Sequence, residues 1–219
     1  MGFLTRLAFK NLFRHKLRTF VSIIAIAFSV MIVVFARGYV VGLIDNFTLE
    51  HIQYDSGHIK LITHEYRDEQ RLLPLNYPVD GLNGGGLAEM IAALEKVEGV
   101  AMVVPRLKFG AMVSTGDELV TMGGWGVDPE LETAFTGIED YLVEGRMPQP
   151  GRLEVLMGTA LLAKINRRVG EKVTIVFNTA FNSLRGVTFN IVGRTKSGIK
   201  LLDEVVFYLP LDQAQRLLE

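Results

Sequence analysis

Three histidines, His51, His58 and His64, recur at spacings of seven and six, and imidazole is a common ligand of divalent metals. They fall on a helix-to-strand stretch where convergence would need a fortunate fold, so surface histidines are the simpler reading. Gly84-Gly85-Gly86 looks superficially like a phosphate cradle, yet no Lys followed by Ser or Thr closes it. Gly123-Gly124-Trp125-Gly126 reads as a tight structural passage, with Trp125 packed against its neighbours. Asp117, Glu118 and Asp128 supply carboxylates without a recognisable base, nucleophile or second acid beside them. With no cysteine in the chain, disulfides and thiolate chemistry are excluded. The residues therefore offer no catalytic, cofactor-binding or metal-binding set, and hydrolytic or redox chemistry is not expected.

The elements around these residues are more informative. From Thr19 to Ala36 the chain reads TFVSIIAIAFSVMIVVFA without a charge, and GYVVGLI follows Arg37 as far as Ile44. At 1.5 Å per residue the uncharged run covers roughly 27 Å, close to the hydrocarbon thickness of a bilayer. Arg37 can snorkel to the interface, where Tyr39 is also at home. A buried helix of a soluble protein would need an apolar surface on every side for five turns. A cleaved signal peptide, ending at Val34-Phe35-Ala36, would have an unusually long apolar core. A retained transmembrane helix over 19–44 fits best.

Charge sets its direction. Residues 1–44 hold Arg6, Lys10, Arg14, Lys16, Arg18 and Arg37 and no acid, while the other 17 basic residues face all 24 acidic ones. The positive-inside rule keeps residues 1–18 cytoplasmic and places 45–219 outside, in the periplasm or extracellular space. Within the leading segment, Leu4, Leu7, Ala8, Asn11 and Leu12 recur at helical spacing with Arg6, Lys10 and Arg14 on other faces. An amphipathic helix on lipid headgroups and a plain basic flank both fit this pattern. The net acidity of the remainder argues against a nucleic-acid partner.

Residues 45–219 read as an α/β (α+β) mixed-sheet domain. The helix continues over Asp45–Tyr54 and stops at Gly57. A short strand is expected at His58–Thr63, then a loop over 65–80 and a flexible joint over 81–86. The stripe of Leu87, Met90, Ile91 and Leu94 predicts a helix to Val97. Strands are expected at Val100–Val104, Lys108–Val113, Glu118–Met122, Glu154–Gly158, Lys172–Phe177, Val187–Val192 and Val205–Leu209. Trp125 to Pro129 is expected to leave the sheet for a short helix ending near Phe135. Gly145-Arg146-Met147-Pro148 reads as a turn. Thr159 should cap a helix to Ile165, and Pro210 should open a closing helix over Leu211–Leu218. Helices and strands interleave without a strict βαβ repeat, which favours a mixed sheet over a doubly wound one.

Several short passages, in order, resemble one family. Leu7 to Thr19 (LAFKNLFRHKLRT) is similar to the opening helix of bacterial ABC-transporter permeases of the macrolide-exporter, lipoprotein-releasing and cell-division type. Glu98-Gly99-Val100 with Pro105-Arg106, Gly126-Val127-Asp128-Pro129, Glu144-Gly145-Arg146, Glu154 to Gly158, Val192-Gly193 and Tyr208 to Gln215 resemble further elements of its extracytoplasmic core.

The resemblance implies an inner-membrane permease subunit whose first helix and periplasmic core are present here. It implies a separate ABC ATPase subunit, a second permease subunit in a homo- or heterodimer, membrane lipid, and a lipoprotein or small molecule as substrate. ATP hydrolysis in the cytoplasm would move the outer domain. Family members continue through three more transmembrane helices, so a chain ending at Glu219 is expected to be a fragment, an incomplete product or a split subunit. Two alternatives stay open: a signalling permease acting on a cell-wall hydrolase or sensor, and a membrane-anchored binding protein.

Overall fold

The computed structural model describes Gly2 and residues 15–79, 81, 84–115 and 118–219. The chain divides into two compact units, Met1–His58 and Ile59–Glu219. The leading basic segment lies largely outside the described residues, so the amphipathic reading of 4–12 is not addressed.

In the first unit, helix α1 runs from Lys16 to His51 without a buried residue. Its 36 residues extend about 54 Å, longer than a bilayer core requires. It is long and apolar enough to cross a membrane. Its hydroxyls are suited to lipid. Ser22 donates to the Arg18 carbonyl at 3.0 Å and Ser29 to Ala25 at 2.8 Å, so neither is left unsatisfied in hydrocarbon. Phe35 and Tyr39 stack one turn apart near the middle of the helix. The helix widens into a π turn over Ile52–Ser56, and Gly57 ends it in the left-handed region at φ 65°.

The second unit is built on seven strands: β1 Arg106–Ser114, β2 Leu119–Val127, β3 Leu142–Gly145, β4 Glu154–Gly158, β5 Lys172–Asn178, β6 Leu184–Thr195 and β7 Val206–Pro210. Their order is β3-β6-β4-β7-β2-β1-β5, and β5 also pairs with β6. Six strands thus close into a barrel, while β3 pairs with the C-terminal end of the long β6. Pairing is mixed: β2–β7 and β4–β6 are parallel and the rest antiparallel.

The strand order has an internal two-fold. Hairpin β1–β2 is followed by β4, and hairpin β5–β6 by β7. Each third strand crosses to run parallel to the second strand of the other hairpin. The exchange means that neither half has a complete sheet without the other.

Among the described residues six α-helices accompany the strands: α2 His64–Glu69, α3 Gly86–Leu94, α4 Pro129–Thr136, α5 Thr159–Lys164, α6 Lys200–Glu204 and α7 Leu211–Leu218. The barrel interior takes alternate residues from its strands, as a pleat of period two demands. Phe109, Ala111 and Val113 come from β1, Val173, Ile175 and Phe177 from β5, and Phe207 and Leu209 from β7. Phe109 meets Phe177 and Phe207 edge to face, with centroids 5.7 and 5.9 Å apart. Leu161 and Leu162 of α5, with Ala214 and Leu218 of α7, join this core.

Trp125, Val127, Leu156 and Tyr208 are buried on the opposite face of the sheet. Strands β4 and β7 are therefore buried on both sides, and their sequences read as continuous apolar runs rather than alternating ones.

The mixed α/β reading holds, with the sheet closed rather than open. Several local expectations need correction. Residues 58–63 and 100–104 lie in no strand, because alternation defines a face while pairing needs a partner edge. The expected loop after Thr63 opens with α2, capped by the Thr63 hydroxyl, and a 3-10 turn over Gln70–Leu72. Strand β2 continues through Trp125 to Val127, held by parallel pairing with β7 that no local signal announces. Thr159 is the first residue of α5, not its cap; its hydroxyl donates instead to the Thr195 carbonyl at 2.8 Å. Pro210 closes β7 and serves as the cap of α7. Strand β3 over Leu142–Gly145 was not expected, and it ends at Gly145, where the expected turn begins.

Candidate functional site

The residues singled out for chemistry do not assemble. His51 ends α1, His58 follows Gly57, and His64 opens α2. Among the described residues no three His, Cys, Asp or Glu side chains are grouped to hold a metal. Asp117 lies outside the described residues. The Glu118 carbonyl accepts from the backbone and hydroxyl of Thr115 in the β1–β2 turn. Asp128 caps α4, accepting from the amides of Glu130 and Leu131 at 3.0 and 3.1 Å, with Pro129 at the first helical position. Gly84 and Gly86 adopt left-handed φ values, and α3 begins at Gly86. Of the basic residues that precede the uncharged run, Lys16 and Arg18 fall in the first turn of α1, and Arg14 lies outside the described residues.

What the fold does bring together are the short passages scattered along the chain after residue 125. They occupy β2, β7, β4, β6 and β3, five strands that are consecutive neighbours in the sheet. Each passage performs a packing task there. A Cβ on Gly124 would sit 2.2 Å from the Phe109 ring, and one on Gly126 would sit 2.4 Å from the Ala214 methyl of α7. Gly124 therefore admits the barrel core and Gly126 seats the closing helix, while Trp125 between them points to the other face. A Cβ on Gly158 would meet the Asp203 carbonyl of α6 at 2.3 Å. Gly145, left-handed at φ 84°, lies directly against the Val192 carbonyl and pairs with Gly193.

Two ion pairs clasp the connections between strands. Arg106, at the start of β1, donates from Nε and Nη2 to both oxygens of Glu132 on α4, at 2.8 and 2.7 Å. Glu132 is only 1% exposed, and the guanidinium lies 5.3 Å from both the Trp125 and the Phe135 ring centroids. The flat cation suits such an aromatic slot better than an ammonium would. Lys108 stands over the Trp125 ring at 4.1 Å, and Trp125 meets Tyr208 edge to face.

In the second clasp, Arg146 reaches Glu154 with two bonds of 2.8 and 2.7 Å. Glu154 also accepts the Gln149 amide at 3.0 Å. These bonds, led by the guanidinium, hold the Glu154 carboxyl below the usual carboxylate range and raise Arg146, against the opposing effect of burial. The same turn is tied to the closing helix, because Asp212 accepts the Gly151 amide at 2.8 Å.

The partner of Arg106 escapes a motif-based reading. Glu132 sits one turn beyond the Asp128-Pro129 start, so the cap and helical periodicity together were the available signal. In both clasps the carboxylate is taken up by a guanidinium, which ties neighbouring connections of the barrel together.

The family model of the MacB-like periplasmic core domain matches residues 19–219. Among solved structures, the chain is similar to the extracellular domain of the noncanonic ABC-type transporter YknZ from Gram-positive bacteria. Identity is 15% and the TM-score 0.43, over 57% of this chain and 63% of that one. The chain therefore spans less than two thirds of that domain's length. No curated protein matches it.

Proposed function

This chain belongs to the MacB-like periplasmic core domain family, and we propose that it acts as the N-terminal portion of an ABC-type permease subunit. In this reading a separate ATPase subunit hydrolyses ATP in the cytoplasm. A second permease subunit completes the membrane core, and the outer domain moves in response, in export or in release of a lipoprotein. The supporting observation is that the family match starts at Thr19, inside α1, and runs through the barrel to Glu219. Helix and barrel thus belong to one family unit rather than to a generic anchor joined to an unrelated domain.

The clasped barrel suits such a role, since a domain moved as a body transmits displacement only if its connections do not yield. The lack of cysteine makes orientation testable with single introduced thiols. Ser56→Cys should react with a membrane-impermeant maleimide added outside intact cells, and Lys16→Cys only after permeabilisation.

The coupling is tested by reconstituting the complete permease with its ATPase in lipid discs. Adding the candidate lipoprotein or drug should stimulate ATP hydrolysis, and Arg106→Ala should reduce that stimulation. Copurification with a cell-wall hydrolase, without stimulation by any cargo, would transfer the role to signalling.

A further inference from the structure

The segment that opens the second unit carries a feature unrelated to the barrel. Residues Lys60 to His64 together with Arg67 line a shallow concavity of about 400 Å³. Its form follows from local geometry. Thr63, itself extended, caps α2, its hydroxyl accepting the Tyr66 amide at 3.4 Å, so an extended lead-in passes directly into the helix. Arg67 then stands one helical turn beyond His64, at the i, i+3 spacing that brings two side chains to one face. Lys60 enters from the lead-in, and three nitrogen-bearing side chains border one space whose remaining walls include Leu61 and Ile62.

No acidic side chain pairs with Lys60, His64 or Arg67 among the described residues. Glu65, Asp68 and Glu69 are all exposed and none lines the concavity. The lining thus carries positive charge with no acid among its residues, and an anion in the concavity would meet charge of the opposite sign. Leu61 is 49% exposed in the same place, so aliphatic surface stands open to water beside the cations. A bare anion would leave this wall unused, and a neutral apolar molecule would leave the cations unused.

We infer that this concavity binds a small amphiphile with an anionic head, phosphate or carboxylate, and an apolar tail. Lys60 and Arg67 hold the head by charge-assisted hydrogen bonds, and His64 adds an N–H donor. Leu61 and Ile62 take the first carbons of the tail. The inference does not depend on the permease reading, because ATPase stimulation could fail with this binding intact.

The test uses the full chain in neutral maltoside micelles and calorimetric titration with octyl phosphate, inorganic phosphate and octyl glucoside. Octyl phosphate should bind saturably at one site per chain. The double substitution Lys60→Ala/Arg67→Ala should weaken it at least about tenfold, as expected for lost bonds to a charged group. Leu61→Ser should weaken octyl phosphate while leaving the weaker binding of inorganic phosphate unchanged. All three positions are exposed or loop-borne, and an unchanged Trp125 emission verifies that the variants fold.

Equal octyl phosphate binding by the double variant would mean partition into the micelle and would overturn the inference. So would inorganic phosphate or octyl glucoside binding as tightly as octyl phosphate. In phosphatidylcholine discs, added phosphatidylglycerol should compete if the natural source is a bilayer headgroup. Undiminished binding there identifies a free amphiphile.

Discussion

Replacing Arg106 by alanine removes a guanidinium that makes two charge-assisted bonds to Glu132 and fills the slot between Trp125 and Phe135. The larger consequence falls on the partner. Glu132 is 1% exposed, against 10% for the Arg106 side chain, so water cannot take the place of the lost cation. A carboxylate stranded in this way costs about 3–5 kcal/mol. The two cation–π contacts contribute roughly 0.5–2 kcal/mol each, partly included in the same figure because the effects share one group. A loss of about 4 kcal/mol is therefore expected in the stability of the barrel, a large part of what a domain of this size has.

The assay is urea unfolding in neutral detergent, followed through Trp125, the one tryptophan of the chain. It is 6% exposed and lies beside the altered site, so its emission should shift to the red on unfolding. Because the same substitution changes the native environment of Trp125, far-ultraviolet circular dichroism provides the second probe. The double substitution Arg106→Met/Glu132→Leu removes the pair without stranding either charge, and should recover most of the loss. A destabilisation by Arg106→Ala below about 1 kcal/mol, or a double variant no better than the single one, would refute the buried-charge account.

Four further outcomes follow from the geometry. Gly158→Ala should cost about 1–3 kcal/mol and lower the melting temperature by several degrees, because its Cβ would lie 2.3 Å from the Asp203 carbonyl. Gly110→Ala, whose Cβ meets nothing within 4 Å, should be neutral or slightly stabilising in the same melt. For Glu154, the folded carboxyl titrates below the unfolded value of roughly 4.3, so its stabilising share is complete above that pH. The share is lost as the pH falls through the depressed folded value. Glu154→Gln should flatten this part of an acid denaturation profile and cost about 1–2 kcal/mol at neutral pH, discounted because the Arg146 side chain is 43% exposed. Ile32→Arg should cost about 2.5–3.5 kcal/mol of membrane insertion and make the chain extractable by carbonate, since α1 has no buried residue in this structure to shelter the charge.

Much of the local structure was readable from neighbouring residues. The uncharged run from Thr19 to Ala36 and its basic lead-in determined a membrane-length helix, because insertion depends on composition along one segment. Asp128-Pro129 marked the start of α4, and Leu211 to Leu218 declared the last helix, because caps and amphipathic periods are local signals. The short glycine-bearing passages also pointed to the family, although their reason was invisible. Only the fold shows that Gly126 faces Ala214 and that Gly158 faces Asp203, contacts spanning 88 and 45 residues of chain.

Closure of the sheet was likewise beyond a linear reading. Strand β2 was expected to stop near Met122, but β7, some eighty residues later, pairs with it from Gly123 to Val127. Residues 58–63 alternate much as a strand does and still find no edge. Glu132 looked like any helical acid until α4 lay across β1 and placed it on Arg106. The sequence by itself determined the membrane-length helix, its orientation signal and the mixed α/β class, each a property of residues near one another in the chain. Tertiary structure alone decided the closed barrel with its exchanged strands and the two Arg–Glu clasps. Pairing edges and buried partners are chosen by packing between distant segments, and no local pattern encodes that choice.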